Sequence, residues 1–154
     1  MTARKTNAFT LIELLVVIGI LAILLTITLI AINPGRQFSQ SNDTKRSSDV
    51  NAILNAVHQY AADHKGVLPG GITSTATAMG NATGLVDFCS DVVPLYLAAF
   101  PVDPQTNNGA GEGAAWDCTG TDVTTNYTIL TAANNRITVA APDAEINIPI
   151  SVTR

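Results

Sequence analysis

The chain has 154 residues, a formal net charge of −4 and an apolar content of 47%. This length allows one compact domain with a helical extension. From Gly66 to Asn135 there are several acidic residues but no lysine or arginine. Because such a surface repels phosphate groups, no specific nucleic-acid partner is expected.

The first predicted element is a long apolar helix over residues 9–33. Arg4 and Lys5 precede it, and Glu13 is its only charged residue. The uncharged run from Leu14 to Ile32 is about 28 Å long as a helix, enough to cross the hydrocarbon core of a membrane. A cleavable secretory signal has a shorter apolar core followed by a small-x-small site. The sequence therefore predicts a membrane-spanning helix.

The start of this helix resembles a known processing site. The string Ala8-Phe9-Thr10-Leu11-Ile12-Glu13-Leu14 is similar to the leader junction of type IV pilins and type II secretion pseudopilins. In that family a membrane peptidase cuts just before the phenylalanine, and the new amine is methylated. The resemblance implies a leader peptide at residues 1–8, with Ala8 and Phe9 as the processing residues. Ala8 stands where the family usually has glycine.

The same resemblance implies how subunits assemble. In the family, the glutamate five residues into the mature chain meets the methylated amine of a neighbouring subunit. Glu13 takes that position here, and methylation keeps the positive charge of the amine. The residues expected to act in assembly are Glu13, Phe9, Leu11, Ile12 and Leu14.

A second helical segment is predicted over residues 34–65. Asn33-Pro34-Gly35 breaks or kinks the first helix, and the helix resumes near Arg36. One apolar stripe at helical spacing follows, made of Val50, Ile53, Leu54, Val57, Tyr60 and Ala61. We expect this amphipathic stripe to pack against a sheet and His58 to be solvated.

Residues 66–154 are expected to form a globular β-rich pilin head. Ile72–Gly84 lacks periodicity and is predicted as a loop, and a short helix is predicted over Asp91–Ala99. Three strands are predicted at the end of the chain, namely Asn126–Thr131, Arg136–Ala140 and Ile146–Val152. The expected fold class is α+β, with a long N-terminal helix, half membrane-spanning and half amphipathic, packed on a small antiparallel sheet as in pilins.

Two features of the head concern stability and cofactors. Cys89 and Cys118 are an even pair, which in an exported chain indicates a disulfide. The segment Phe100–Pro104 resembles a turn of major pseudopilins, some of which bind calcium in the following loop. The resulting candidate calcium ligands are Asp103, Glu112, Asp117 and Asp122. A purely structural turn, which needs no cofactor or metal, is the favoured interpretation.

The function predicted from these features is a structural subunit of a type IV pilus, not an enzyme. The sequence contains no GxxxxGK[ST], HExxH or GxSxG motif. The expected partners are other copies of the chain, the prepilin peptidase/methyltransferase, the pilus assembly platform with its ATPase, and the membrane before assembly. The precursor is expected in the cytoplasmic membrane with its head outside, and the mature subunit in an extracellular filament.

Two other functions remain open on the sequence. One is a pseudopilin of a type II secretion or DNA-uptake machine, which has the same kind of stem. The other is a monomeric membrane-anchored adhesin or minor tip pilin, which would not polymerise.

Overall fold

The computed structural model describes residues 9–107, 111–146 and 148–154. The chain divides into two compact units, with the boundary between Phe38 and Ser39. The second unit, residues 39–154, is called the head unit below. The predicted leader, residues 1–8, lies outside the described residues.

The first two helices are separated by a single residue. Helix α1 spans Leu11–Ile32, and helix α2 spans Pro34–Asp63. Asn33 between them has left-handed backbone angles (φ 49°), which an α-helix cannot continue through. Pro34 then begins α2, a position where its missing N–H costs nothing. The predicted break is confirmed, although α2 starts two residues before Arg36.

The buried stripe of α2 packs on the sheet, as predicted. Val50, Ile53, Leu54 and Val57 are fully buried. They share one core with residues of the strands, among them Tyr127, Ile129 and Val139. The fold class is therefore α+β, as the sequence predicts.

The sheet has four antiparallel strands in the order β1-β2-β3-β4. The strands are β1 Thr77–Gly80, β2 Thr124–Thr131, β3 Ile137–Ala141 and β4 Ile150–Thr153. Asn134 and Asn135 both have positive φ and turn the chain between β2 and β3. This hairpin turn is confirmed.

The predicted loop over Ile72–Gly84 is wrong in part, because strand β1 lies within it. Its four residues have no alternating pattern, and their strand conformation depends on pairing with β2. Gly80 has a positive φ, and a Cβ there would collide with the carbonyl oxygen of Val123. Glycine is required at this close approach.

The short helix is also misplaced in the sequence prediction. Helix α3 spans only Cys89–Val92, not Asp91–Ala99. Val93 is extended (φ −102°, ψ 134°). The residue before a proline is disfavoured in helical geometry, so Pro94 ends α3 instead of lying in its first turn.

The structure corrects two further predictions, the start of the last strand and the exposure of His58. Strand β4 begins at Ile150 instead of Ile146, because the N–H groups of Glu145 and Ile146 donate to the carboxylate of Asp43 and not to the sheet. His58 is only partly exposed, and its Nε2 atom is buried without a hydrogen-bond partner among the described residues.

A disulfide joins Cys89 to Cys118, with a Cα–Cα distance of 5.5 Å. It ties α3 to the segment before β2, across a sequence separation of 29 residues. In the chain-entropy view a loop of this size stabilises the fold by about 3–4 kcal/mol.

Candidate functional site

Helix α1 begins with a reciprocal cap formed by Thr10 and Glu13. The Glu13 Oε2 atom accepts hydrogen bonds from the backbone N and the Oγ1 of Thr10, each at 2.8 Å. The backbone N of Glu13 donates to Thr10 Oγ1 at 3.3 Å. This capping box satisfies donors that the first turn of a helix otherwise leaves without partners.

The cap also gives the Glu13 carboxylate a partner within its own chain. The exposed side chain lies beside apolar Phe9, Leu14 and Val17. An unsatisfied carboxylate would be costly if this surface lay in an apolar medium. The partner expected for Glu13 was one on another subunit, and its bond with Thr10 was not predicted. The signal was present, since T-x-x-E before an apolar run is the capping-box pattern.

The rest of α1 carries an apolar surface that the described residues leave exposed. None of its residues is buried. The exposed fractions of the predicted assembly residues are 84% for Phe9, 81% for Leu11, 68% for Ile12 and 58% for Leu14. Among the described residues, α1 is the one helix long and apolar enough to cross a membrane. The core helix of a soluble protein would be mostly buried, whereas α1 has no buried residue.

A buried polar network attaches α2 to the rest of the head unit, and Arg46 is its centre. The Arg46 side chain has no exposed surface. Its Nε and Nη2 atoms contact the two carboxylate oxygens of Asp103 at 2.6 and 3.2 Å. Its Nη1 atom contacts Asp43 Oδ1 at 3.0 Å and Glu145 Oε1 at 3.1 Å. The planar guanidinium suits this paired recognition of a carboxylate, which a lysine could not reproduce.

The segment after β3 is held on α2 by the same network. Asp43 accepts hydrogen bonds from the backbone N of Glu145 at 2.9 Å and of Ile146 at 2.8 Å. The Glu145 carboxylate accepts from Ser39 Oγ and from Asn42 Nδ2. These bonds join two stretches of chain that are about a hundred residues apart in sequence.

A third contact lies one turn further along α2. The Tyr127 hydroxyl donates to Asp49 Oδ2 at 2.8 Å. Burial raises the pKa of Asp49, and burial together with the charge of Asp49 raises the pKa of Tyr127. The tyrosine therefore keeps its proton and ties β2 to the helix.

One comparison with known proteins gives a match, which covers the start of the chain and most of α1. A family model described as the prokaryotic N-terminal methylation motif matches residues 3–29. The chain carries the prepilin-type motif. Comparisons with curated proteins and with solved structures give no significant match.

The prepilin-type motif includes Glu13, Thr10 and most of α1. It also includes Ala8, which lies outside the described residues, and Phe9, the first described residue. The motif is that of type IV pilins and pseudopilins. Together, the motif and the exposed apolar α1 fit a membrane-anchored precursor.

The four calcium candidates do not come together in the structure. Both carboxylate oxygens of Asp103 bind Arg46, and Asp117 accepts hydrogen bonds from Thr119. Glu112 and Asp122 are exposed. Over the described residues, no group of three or more His, Cys, Asp or Glu side chains could hold a metal. These residues do not fit a calcium site.

The role of Arg46 was not predicted from the sequence. Its signal is the spacing Asp43-x-x-Arg46-x-x-Asp49, which places the three charged residues on neighbouring turns of one helix. The partner Asp103 lies in the segment Phe100–Pro104, which was predicted to be a turn. Nothing in the local sequence pairs that turn with α2.

We predict that Arg46→Met lowers the free energy of unfolding of the full chain in detergent micelles by about 3–5 kcal/mol, because it leaves buried carboxylates without their cation. Lys45→Met is the matched control, since Lys45 is an exposed neighbour whose Nζ donates only an exposed hydrogen bond to the carbonyl oxygen of Gly113 among the contacts described, and its loss should change stability by about 1 kcal/mol or less. Denaturant unfolding followed by circular dichroism measures both. Equal stability of the two variants would contradict the assigned role of Arg46.

We also predict a pH dependence that originates in Glu145. Hydrogen bonds from Ser39 and Asn42, assisted by Arg46, lower the pKa of Glu145 from its ordinary value of 4.5. A lowered native pKa means that the stabilisation is fully present above 4.5 and is lost as the pH falls through the lowered pKa. Glu145→Gln should be less stable than the unmodified chain at pH 7, and the difference should shrink on acidification. A constant difference between pH 7 and the acid transition would refute this origin.

Proposed function

We propose that this chain is a structural subunit of a filament of the type IV pilus kind, cleaved before Phe9 and methylated there. The observation that carries the proposal is the prepilin-type motif over residues 3–29 followed directly by the wholly exposed apolar α1. The family of this motif is structural, so the proposed activity is assembly and not catalysis.

The exposed surface of α1 supports assembly on energetic grounds. Burial of apolar surface stabilises by roughly 25 cal/mol per Å², and α1 exposes it over 22 residues. Lipid covers this surface in the precursor. When the subunit leaves the membrane, only an equally apolar cover can replace the lipid. The α1 helices of other copies have the matching length and composition.

Glu13 is proposed to set how neighbouring copies are staggered in this packing. In the proposed filament its carboxylate pairs with the methylated amine of Phe9 in a neighbouring copy. Before assembly the capping box with Thr10 satisfies the carboxylate, which lowers the cost of holding it in the membrane. Staggered addition is favoured because an unpaired carboxylate among apolar helices is penalised.

The proposed partners follow from this sequence of events. A prepilin peptidase/methyltransferase processes Ala8-Phe9, and an assembly platform with its ATPase extracts the subunit from the membrane. The mature chain is then found in filaments at the cell surface.

A pseudopilin of a secretion or DNA-uptake machine is the second candidate, since the prepilin-type motif occurs in both kinds of subunit. Abundant shed filaments favour the pilus, and their absence with intact processing favours the pseudopilin.

Processing is tested by N-terminal sequencing and mass spectrometry of the protein recovered from cell-surface filaments. We expect a mature chain that starts at N-methyl-Phe9. A chain that retains Met1 to Ala8 and remains singly dispersed in the membrane would rule out filament assembly and favour the monomeric anchored alternative.

Glu13→Ala is predicted to insert in the membrane like the unmodified chain but to lower the yield of filaments by roughly a hundredfold or more, because one partner of a buried charge pair is lost, at about 3–5 kcal/mol. Thr26→Ala is the control, since Thr26 bonds only within α1 among the contacts described. Membrane fractionation and filament shearing measure the two steps separately. Normal filament yield in Glu13→Ala would argue against the pairing.

A further inference from the structure

The C-terminal half of α2 and the residue after β4 form an open cleft within the head unit, called the α2–β4 cleft here. It is lined by Asn55, His58, Gln59, Ala62 and Arg154, and its volume is about 490 Å³. Small-molecule sites in proteins span roughly 300–1,000 Å³. The cleft is therefore large enough for a ligand the size of a single sugar ring.

Arg154 is held between the sheet and the helix. Its backbone N and O atoms pair with Ile137 of β3 at 3.0 and 2.7 Å. Its Nη1 atom donates to Asn55 Oδ1 at 2.9 Å, and its Nη2 atom donates to Asn51 Oδ1 at 3.4 Å. These contacts hold the guanidinium against one face of α2. Because its position is set before a ligand arrives, less entropy is lost on binding.

The guanidinium of Arg154 has no carboxylate partner among the described residues. The salt bridges found there all belong to Arg46, and the two groups that bond to the Arg154 side chain are neutral amides. These amides occupy only part of the N–H donors of the guanidinium. A planar guanidinium with donors to spare is suited to bind a carboxylate.

The other polar groups of the cleft are neutral amides. Asn55 and Gln59 are exposed, and an amide both donates and accepts hydrogen bonds, which matches the hydroxyl groups of a ligand. No acidic residue lines the cleft. The acid nearest to it in sequence, Asp63, accepts a hydrogen bond from the hydroxyl of Tyr96 instead. The lining of the cleft therefore attracts an anion and does not repel it.

His58 contributes an unpaired polar atom to the same face of α2. Its Nε2 atom is buried and has no hydrogen-bond partner among the described residues, an arrangement that costs free energy. A face that served only for packing would have this atom paired or replaced by an apolar group. The atom is covered and is not assigned as a ligand contact, but it indicates that this face is not optimised for stability alone.

We propose that the α2–β4 cleft binds a small hydroxylated organic acid, whose carboxylate pairs with Arg154 and whose hydroxyl groups contact Asn55 and Gln59. A single cation lines the cleft. It matches the one charge of a carboxylate better than the nearly two charges of a phosphate group at neutral pH. This inference goes beyond the proposed function, because the site lies within the head unit and does not depend on filament assembly.

An NMR titration of the full chain in non-ionic detergent micelles tests the site. The probe is D-glucuronate, D-glucose is the matched compound without the carboxylate, and inorganic phosphate is the alternative anion. We expect glucuronate to bind in the millimolar range and to shift the amide resonances of α2 near Asn55 and Gln59. Glucose and phosphate should bind about tenfold more weakly or less. Equal affinity for glucose, or tighter binding of phosphate, would overturn the assignment of a carboxylate ligand.

Two variants change the charge of the site in different ways. Arg154→Gln removes the guanidinium. Asn55→Asp keeps the acceptor that bonds to Arg154 but places a carboxylate of the chain itself on the guanidinium, where it competes with the ligand. The matched control is Arg136→Gln, which removes the same charge from an exposed residue that donates to Thr153 O and does not line the cleft.

We expect Arg154→Gln and Asn55→Asp each to weaken the binding of glucuronate by about tenfold or more, because a charge-assisted hydrogen-bonded pair is lost. Arg136→Gln should stay within about twofold of the unmodified chain at about 0.1 M salt, which screens exposed charges that do not touch the ligand. Asn55→Asp should unfold at no lower denaturant concentration than the unmodified chain, since its bond to Arg154 is retained. Unchanged binding in Asn55→Asp, or an equal loss in Arg136→Gln, would refute the site.

Discussion

Arg46 is fully buried, and its guanidinium meets carboxylates from three parts of the chain: Asp43 on its own helix, Asp103 in the turn before β2, and Glu145 after β3. A buried ion pair gains little net stability, since desolvation opposes the attraction. Its effect is on geometry, because the planar guanidinium donates hydrogen bonds to these carboxylates only when they lie around it in one arrangement. The hydrogen bonds raise the pKa of Arg46 further, so the cation persists at any pH at which the fold exists. The position of the sheet on α2 depends on this constraint.

The Arg46 network and the Thr10–Glu13 cap have different roles. The Arg46 network holds the head unit together from inside, while the Thr10–Glu13 cap lies at the start of a helix that has no buried residue. A soluble protein would bury a surface as apolar as α1. Its exposure is compatible with the proposed exchange of lipid for other copies of the chain, and Glu13 is the one charged residue in the sequence of α1. The function proposed here follows from that contrast.

The sequence predictions were correct where a feature depends on residues close in sequence and wrong where it depends on residues far apart. The break at Asn33, the buried stripe of α2 and the Asn134-Asn135 turn were predicted because each is set by residues close in sequence. Strand β1 was missed because its pairing with β2 is not encoded in its own four residues. Helix α3 was placed too late because Pro94 was assigned to its start and not to its end. The calcium candidates were named from residue type and a resemblance alone, and nothing in the local sequence indicated that Asp103 binds Arg46 of α2.

The sequence by itself determined the motif, the span of α1 and the α+β class, since these depend on residue type, run length and periodicity along a continuous stretch. Only the tertiary structure decided that Arg46 joins the distant carboxylates of Asp103 and Glu145, and that β4 starts at Ile150. The physical reason is the same in each case. Partners separated by tens of residues meet only when the chain closes around its core, and a single sequence carries no local sign of which groups will meet.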